Sequence, residues 1–162
     1  MTRYSGSLSR DLHDGTKSAG ISLLELMVAI LVLASLIMIA IPSYERYRQK
    51  TLTFKAEVAI AATSATIKNY WQDARAYPDS LADVHMDGLA DPWGHPYIYY
   101  NIDKNGKGHA RKDHALNPLN TDFDLYSAGP DGLTKPQISQ SDSLDDIIRA
   151  RDGAFIGVAA DF

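Results

Sequence analysis

The sequence predicts an α+β fold: one long N-terminal helix, transmembrane in its first half, packed on a small antiparallel sheet. Two observations lead there. From Leu26 to Ile41 every residue is apolar except Ser35, with no glycine, proline or charge to interrupt a helix. A helix from Ile21 to Ile41, rising ~1.5 Å per residue, covers ~31 Å, about one bilayer hydrocarbon core. Further on, helical spacing gives way to short runs, one of them alternating, that read as strands.

The elements follow in chain order. Glu25 is the one carboxylate near the start of the apolar run. An ionisable group in a spanning helix costs roughly 2.5–3.5 kcal/mol and normally has a partner. Pro42 follows the run and is expected to bend the helix rather than end it. Beyond it Tyr44, Tyr47, Phe54, Val58, Ala61, Ala62, Ala65 and Ile67 recur near helical spacing among charged residues, so the helix is expected over 21–76. The alanine-rich part, Ala56 to Ala65, offers a smooth face for packing on a sheet, and Tyr70 and Trp71 close the helix against the head.

Pro78 then stops the pattern, and Asp79 or Ser80 can cap a short helix through Val84. Asp91 to Tyr97 reads as a turn around Trp93. Ile98, Tyr99 and Tyr100 form a first strand, with Asn105-Gly106 as a turn signal. Lys107 to Asn120 is polar and too long for a tight hairpin. Phe123 to Ser127 is a second strand and Ala154 to Val158 a third.

Composition narrows the function. The net charge is −4 and no basic run exceeds two residues, which argues against a nucleic-acid-binding face. Cysteine is absent, so no disulfide can fasten the head. Arg3, Arg10 and Lys17 precede the span and Arg46, Arg48, Lys50 and Lys55 follow it, so charge counting leaves the orientation open. His85, His95, His109 and His114 lack paired metal spacing. Asp103-Lys104-Asn105-Gly106 lacks the spacing and final glutamate of a helix–loop–helix calcium site. With no nucleophile–base pattern and no phosphate-cradling glycine loop, the chain reads as a non-enzyme.

Gly20, Ser22, Leu23, Leu24, Glu25, Leu26, Met27 and Val28, after a polar and partly basic leader, resemble the signal of type IV pilins and type II secretion pseudopilins. Ile21 stands where that family usually has Phe or Met. An ordinary secretory signal has a shorter apolar core with its cut site after that core. A plain single-pass anchor fits the run but leaves Glu25 without a partner. The resemblance implies cleavage of a prepilin leader, residues 1–20, between Gly20 and Ile21, and N-methylation of Ile21. The freed amine would then lie one helical turn from a Glu25 carboxylate, in the same or a neighbouring subunit. The mature chain divides into the long helix 21–76, with its transmembrane part 21–42, and an α+β head over 77–162.

Two further motifs, Asp-Pro-Trp-Gly-His-Pro-Tyr at 91–97 and Asp-Leu-Tyr-Ser-Ala-Gly-Pro-Asp-Gly at 124–132, resemble the major pseudopilin of type II secretion. The stretch Gly108 to Thr121 departs from that compact pattern. In type IV pilins a C-terminal disulfide loop commonly fastens the head, and its absence here favours the pseudopilin resemblance. Residues 127–146 are poor in large apolar side chains and hold Asp131, Asp142, Asp145 and Asp146. Such carboxylates repel one another unless a hard cation gathers them. The resemblance implies a structural calcium ion (Ca2+) in this loop. By position, carboxylates would come from Asp131, Asp145 and Asp146 and main-chain oxygens from Ala128 and Leu133, with Asp142 an alternative. The rival reading is a solvated loop in which Asp145 and Asp146 open a helix over 145–151.

The function implied is that of a structural subunit of a periplasmic pseudopilus that drives protein export. It would be a homo-oligomer in a helical filament. Its partners would be minor pseudopilins, the inner-membrane assembly platform, the prepilin peptidase and membrane lipid, with no nucleic acid. The chain would cross the bacterial inner membrane once, with its head in the periplasm. The alternative is a minor or major subunit of a type IV pilus. Replacement Gly20→Val should block processing, because the peptidase needs a small residue before the cut. Mass spectrometry of the membrane-extracted wild type should find Ile21 first and N-methylated; an intact Met1 or Thr2 start in a host with the peptidase would refute the cleavage.

Overall fold

The computed structural model describes residues 20–162, so the leader up to residue 19 lies outside the described residues. The long helix, α1, runs Leu23–Ala74, two residues inside each expected bound, and Pro42 lies within it. By contacts the chain forms two compact units, Met1–Pro42 and Ser43–Phe162. In the described part of the first unit, every large apolar side chain from Leu23 to Ile41 is more than half exposed. A helix that is apolar all round must be covered by lipid or by other chains. Its length and hydropathy suffice to cross a membrane.

In the second unit α1 contributes Ala56, Ile60, Thr63, Ser64 and Ile67 to the interior. Their spacing of four, three, one and three residues defines a single helical stripe. Only Ile67 of the expected apolar series is among them, since Tyr44, Tyr47, Phe54 and Val58 are exposed. The spacing was helical, but the large side chains lie on another face. Small residues admit the sheet to close range, and Thr63 and Ser64 accompany alanine and isoleucine for that reason.

The head sheet has four strands in the order β1-β2-β3-β4: β1 Ile98–Asn101, β2 Phe123–Ser127, β3 Ile147–Ala150 and β4 Phe155–Val158. Neighbours pair antiparallel, Ile98 opposite Tyr126, Ser127 opposite Ile147 and Ile147 opposite Val158. Three strands were legible; β3 was not. It replaces the helix considered over 145–151, because Ile147 and Ile148 face opposite sides of the sheet and each joins a core. Ile147, Phe123 and Leu125 pack with Ala56, Ile60 and Ile67 of α1 and with Tyr97. Across the sheet Ile148 and Ala150 pack with Leu119, Ile138 and Ala159.

The connections have structure of their own. Ser80 precedes a 3-10 turn over Leu81–Val84, as the cap signal suggested. Asn105-Gly106 closes a single helical turn, α2 Ile102–Asn105, with Gly106 at φ 77°. The polar stretch after it folds back on itself: Leu119 N–H donates to the Arg111 carbonyl at 2.8 Å, around a turn in which Asp113 accepts from the amides of Ala115 and Asn117. Arg111, Leu119 and Asn120 are buried, so this segment forms part of the second core.

Arg149 of β3 is buried over the Phe123 ring, 3.9 Å from its centroid. It donates to both Asp122 carboxylate oxygens, at 2.8 and 2.6 Å, and to the Phe123 carbonyl at 2.8 Å. Asn120 donates to the Arg149 carbonyl and to buried Asp124. A forked pair in such a place is costly to break singly, because the remaining charge is stranded. Arg149→Met should therefore destabilise the head by about 3–5 kcal/mol, whereas Lys104→Gln, which ends an exposed pair with Asp79, should cost under about 1 kcal/mol. Denaturant titration checks both, and similar midpoints for the two variants would refute the ranking.

Candidate functional site

Two places carry the residues singled out by sequence. At the start of α1, Ile21 is 75 % exposed and Gly20 and Glu25 lie exposed beside it. Ser22 Oγ accepts the Glu25 amide N–H at 3.2 Å, which makes Ser22 an N-cap, three residues ahead of an acid in the first turn. The Ser-x-x-Glu spacing is the signal that marks this cap. The exposed carboxylate remains free to meet a cation from its own chain or another.

The second place is the loop between β2 and β3, which the Asp91 turn anchors. Asp91 Oδ1 accepts the amides of Trp93 and His95, and Ser127 Oγ at the end of β2 donates to Oδ2. His95 Nδ1 lies 3.0 Å from the Gly129 carbonyl oxygen. The two motifs read at 91–97 and 124–132 are thus one structure. Gly129 has φ 67°, and a Cβ there would sit 2.5 Å from the Asp145 carbonyl oxygen, so only glycine permits the approach. Gly132, at φ 70°, is pressed by the His95 ring, whose Nε2 would lie 2.7 Å from a Cβ there.

The expected ligands divide into two groups. Asp131 Oδ1 accepts the Leu133 amide at 2.8 Å, which tightens the turn. Burial and the charge of Asp131 push the Asp145 carboxyl above its usual range, so these two carboxylates sense each other across the loop. Asp146 is buried and faces a different partner: Oδ2 lies 2.6 Å from Arg111 Nη2 and accepts from Thr134 Oγ1 at 2.7 Å. Asp146 Oδ1 is buried without a hydrogen-bond partner among the described residues. Asp142, the alternative, is 3.6 Å from Lys135 Nζ. Among the described residues no three acidic or histidine side chains gather to hold a metal ion. Carboxylate oxygens are the hard donors that calcium takes, but they are divided here between the Asp131–Asp145 pair and an Asp146 that Arg111 already engages. Six to eight oxygens there require main-chain carbonyls such as those of Ala128 and Leu133, with water besides.

Arg111 was not anticipated. It lies in the polar stretch expected to be a loop, and its guanidinium stacks over Tyr126, 4.2 Å from the ring centroid. Nothing local in the sequence pairs it with Asp146, which is 35 residues away.

A long helix apolar enough to cross a membrane, continuing into the core of a small antiparallel head, defines a pilin-like protein. More particularly, the chain is similar to proteins named type II secretion system core protein G, which bears out the resemblance read from the motifs. It is 28% identical to that of Escherichia coli (strain K12) over 137 residues, covering 72% of this chain and 84% of that protein. It is 26% identical to that of Pectobacterium carotovorum subsp. carotovorum, covering 75% and 81%, and 26% identical to that of Pseudomonas aeruginosa, covering 72% and 86%. No protein-family model and no solved structure matches the chain.

The raised Asp145 carboxyl sets a pH dependence. A raised carboxylate contributes stability below its unfolded value, near pH 3.8, and loses it as pH rises through the folded value. At neutral pH the burial of the Asp145 charge, together with its repulsion by Asp131, is therefore a cost. In chelator, Asp145→Asn should raise the melting temperature at pH 7, with the gain fading below pH 4. Millimolar calcium should raise the wild-type midpoint and leave the variant's nearly unchanged. Identical melting of the two proteins under all these conditions would refute both the repulsion and the ion.

Proposed function

We propose that this chain is a structural subunit of a periplasmic pseudopilus that drives protein export by type II secretion. The observation that carries the reading is its similarity, over most of its length, to three proteins named as core protein G of that system. All three names favour secretion over a type IV pilus, and they support a structural role rather than an enzymatic one. Exposed apolar residues from Leu23 to Ile41 suit a helix that lipid covers before assembly and neighbouring helices cover afterwards. Identical subunits related by a rotation that does not close build a filament through unlike surfaces.

In this reading the peptidase frees the Ile21 amine, and Glu25 neutralises the amine of an adjacent subunit, which sets register while lowering the cost of a charge in an apolar core. Minor pseudopilins and an inner-membrane platform are its proposed partners, and the head faces the periplasm. Calcium belongs to the same proposal. Asp131, Asp145 and Asp146 Oδ1, with the Ala128 and Leu133 carbonyls, would hold it and cancel the carboxylate repulsion in a loop with no disulfide.

Glu25→Ala separates insertion from assembly. The variant should enter the membrane at least as well as wild type, since a costly carboxylate is gone. Filament formation and secretion should fall together, measured by electron microscopy and by extracellular cargo. Normal filaments from the alanine variant would remove Glu25 from assembly, and a loss of membrane insertion would point instead to a folding defect.

A further inference from the structure

We propose that the stretch from Tyr44 to Lys55 is a collar that binds the phosphates of anionic phospholipid headgroups where α1 leaves the membrane. The inference rests on the membrane-anchored reading of the apolar run but not on any role in secretion. Arg46, Arg48, Lys50 and Lys55 stand there against one carboxylate, Glu45, in a chain whose net charge is −4. Residues 56–162 carry sixteen carboxylates against nine cations. The positive charge of the second unit is thus concentrated at its membrane-proximal end in sequence, and the acidic remainder would be repelled by the same lipid surface.

Arg48 lies 3.7 Å from Glu45. Arg46, Lys50 and Lys55 have no ion-pair partner among the described residues. Arg46 and Lys50 are one helical turn apart, and with Ser43, Glu45, Tyr47 and Gln49 they line a shallow open groove of about 640 Å³, in which the two cations outnumber the one carboxylate. Tyr44 and Tyr47 are 65 % and 71 % exposed. Exposed tyrosines beside a spanning helix suit the headgroup layer, where the ring meets acyl chain and the hydroxyl meets water.

Chain length places the collar whatever the angle at Pro42. Tyr44 is three residues beyond Ile41, so even a fully extended backbone separates them by no more than ~11 Å. The headgroup region begins where the hydrocarbon ends and is ~5–7 Å deep on each side. The cations stand further out: along α1, at ~1.5 Å per residue, Arg46 is ~8 Å and Lys50 ~14 Å beyond Ile41. Both are within a Debye length of the headgroup edge, where lipid phosphate acts as a local surface charge. Lys55, at ~21 Å, is the outer end of the collar. The other candidate occupant, the acidic head of a second copy, has charge complementarity but not this proximity to the bilayer.

The test uses the full chain in neutral detergent, titrated with phosphatidylglycerol or phosphatidylcholine and read by native mass spectrometry. Wild type should retain phosphatidylglycerol about tenfold or more above phosphatidylcholine, and the preference should weaken in high salt. Arg46→Gln with Lys50→Gln should reduce phosphatidylglycerol affinity about twentyfold, while Lys104→Gln with Lys107→Gln, the same charge change elsewhere, should leave it intact. Circular dichroism confirms that both variants fold, and resistance to alkaline extraction from membranes reports the anchor separately. Equal retention of the two lipids by wild type overturns the proposal. So does a collar variant that keeps its lipid preference, including one that loses only self-association, which would assign the collar to a second copy.

Discussion

Two buried guanidinium groups, one on each face of the sheet, hold the head of this protein together. Arg149 lies over Phe123 on the side of α1 and forks onto Asp122, while Arg111 lies over Tyr126 on the other side and reaches Asp146. Each ties a segment outside the sheet to a strand or a strand end. In a chain without cysteine such links take the place of disulfides, though by a different physics. A disulfide chiefly restricts the unfolded chain, whereas a buried ion pair has to repay its own desolvation and succeeds only when aromatic faces, carbonyls and hydroxyls satisfy the rest of both groups. Thr134 and the Phe123 carbonyl do part of that here, while Arg111 Nε, Arg149 Nε and Asp146 Oδ1 have no hydrogen-bond partner among the described residues.

The long helix answers to two solvents. From Leu26 to Ile41 it is apolar on every side but for Ser35, whereas from Ala56 to Ile67 it turns a narrow stripe of small and branched residues into the head. The interval between them is neither lipid-like nor core-like. It has tyrosines and cations, the composition expected where a chain crosses from hydrocarbon to water. The transition along one helix from uniform to one-sided hydrophobicity is what lets a single element be apolar enough to cross a membrane and still supply one side of the head's core.

The loop before β3 shows how local chemistry and long-range packing compete for the same carboxylates. Asp145 and Asp131 repel across a turn that two glycines draw tight. Asp146, the next residue, points inward and is engaged on one oxygen by Arg111. Neighbours in sequence thus face opposite demands, one exposed to a like charge and one held by an opposite charge in the interior. An ion that serves this loop would have to bridge those two environments, with main-chain oxygens supplying what the side chains do not.

Much was legible locally. The span from Leu26 to Ile41, its carboxylate at Glu25 and the continuation of helix through Pro42 follow from hydropathy and spacing, which depend only on near neighbours. Strand β2 showed the period of two, β1 and β4 stood out as short runs of strand-forming residues, and the Asp-Pro-Trp-Gly turn announced itself by composition. Tertiary structure alone decided the rest. Ile147-Ile148-Arg149-Ala150 has no alternation to betray a strand, because both faces of β3 are covered and even its arginine is buried. The apolar series from Tyr44 to Ala65 has helical spacing on more than one face, and only the arrival of the sheet selects Ala56, Ile60 and Ile67 as the inner one. The Arg111–Asp146 contact joins residues with no shared local pattern, so its existence depends on the fold that brings them together.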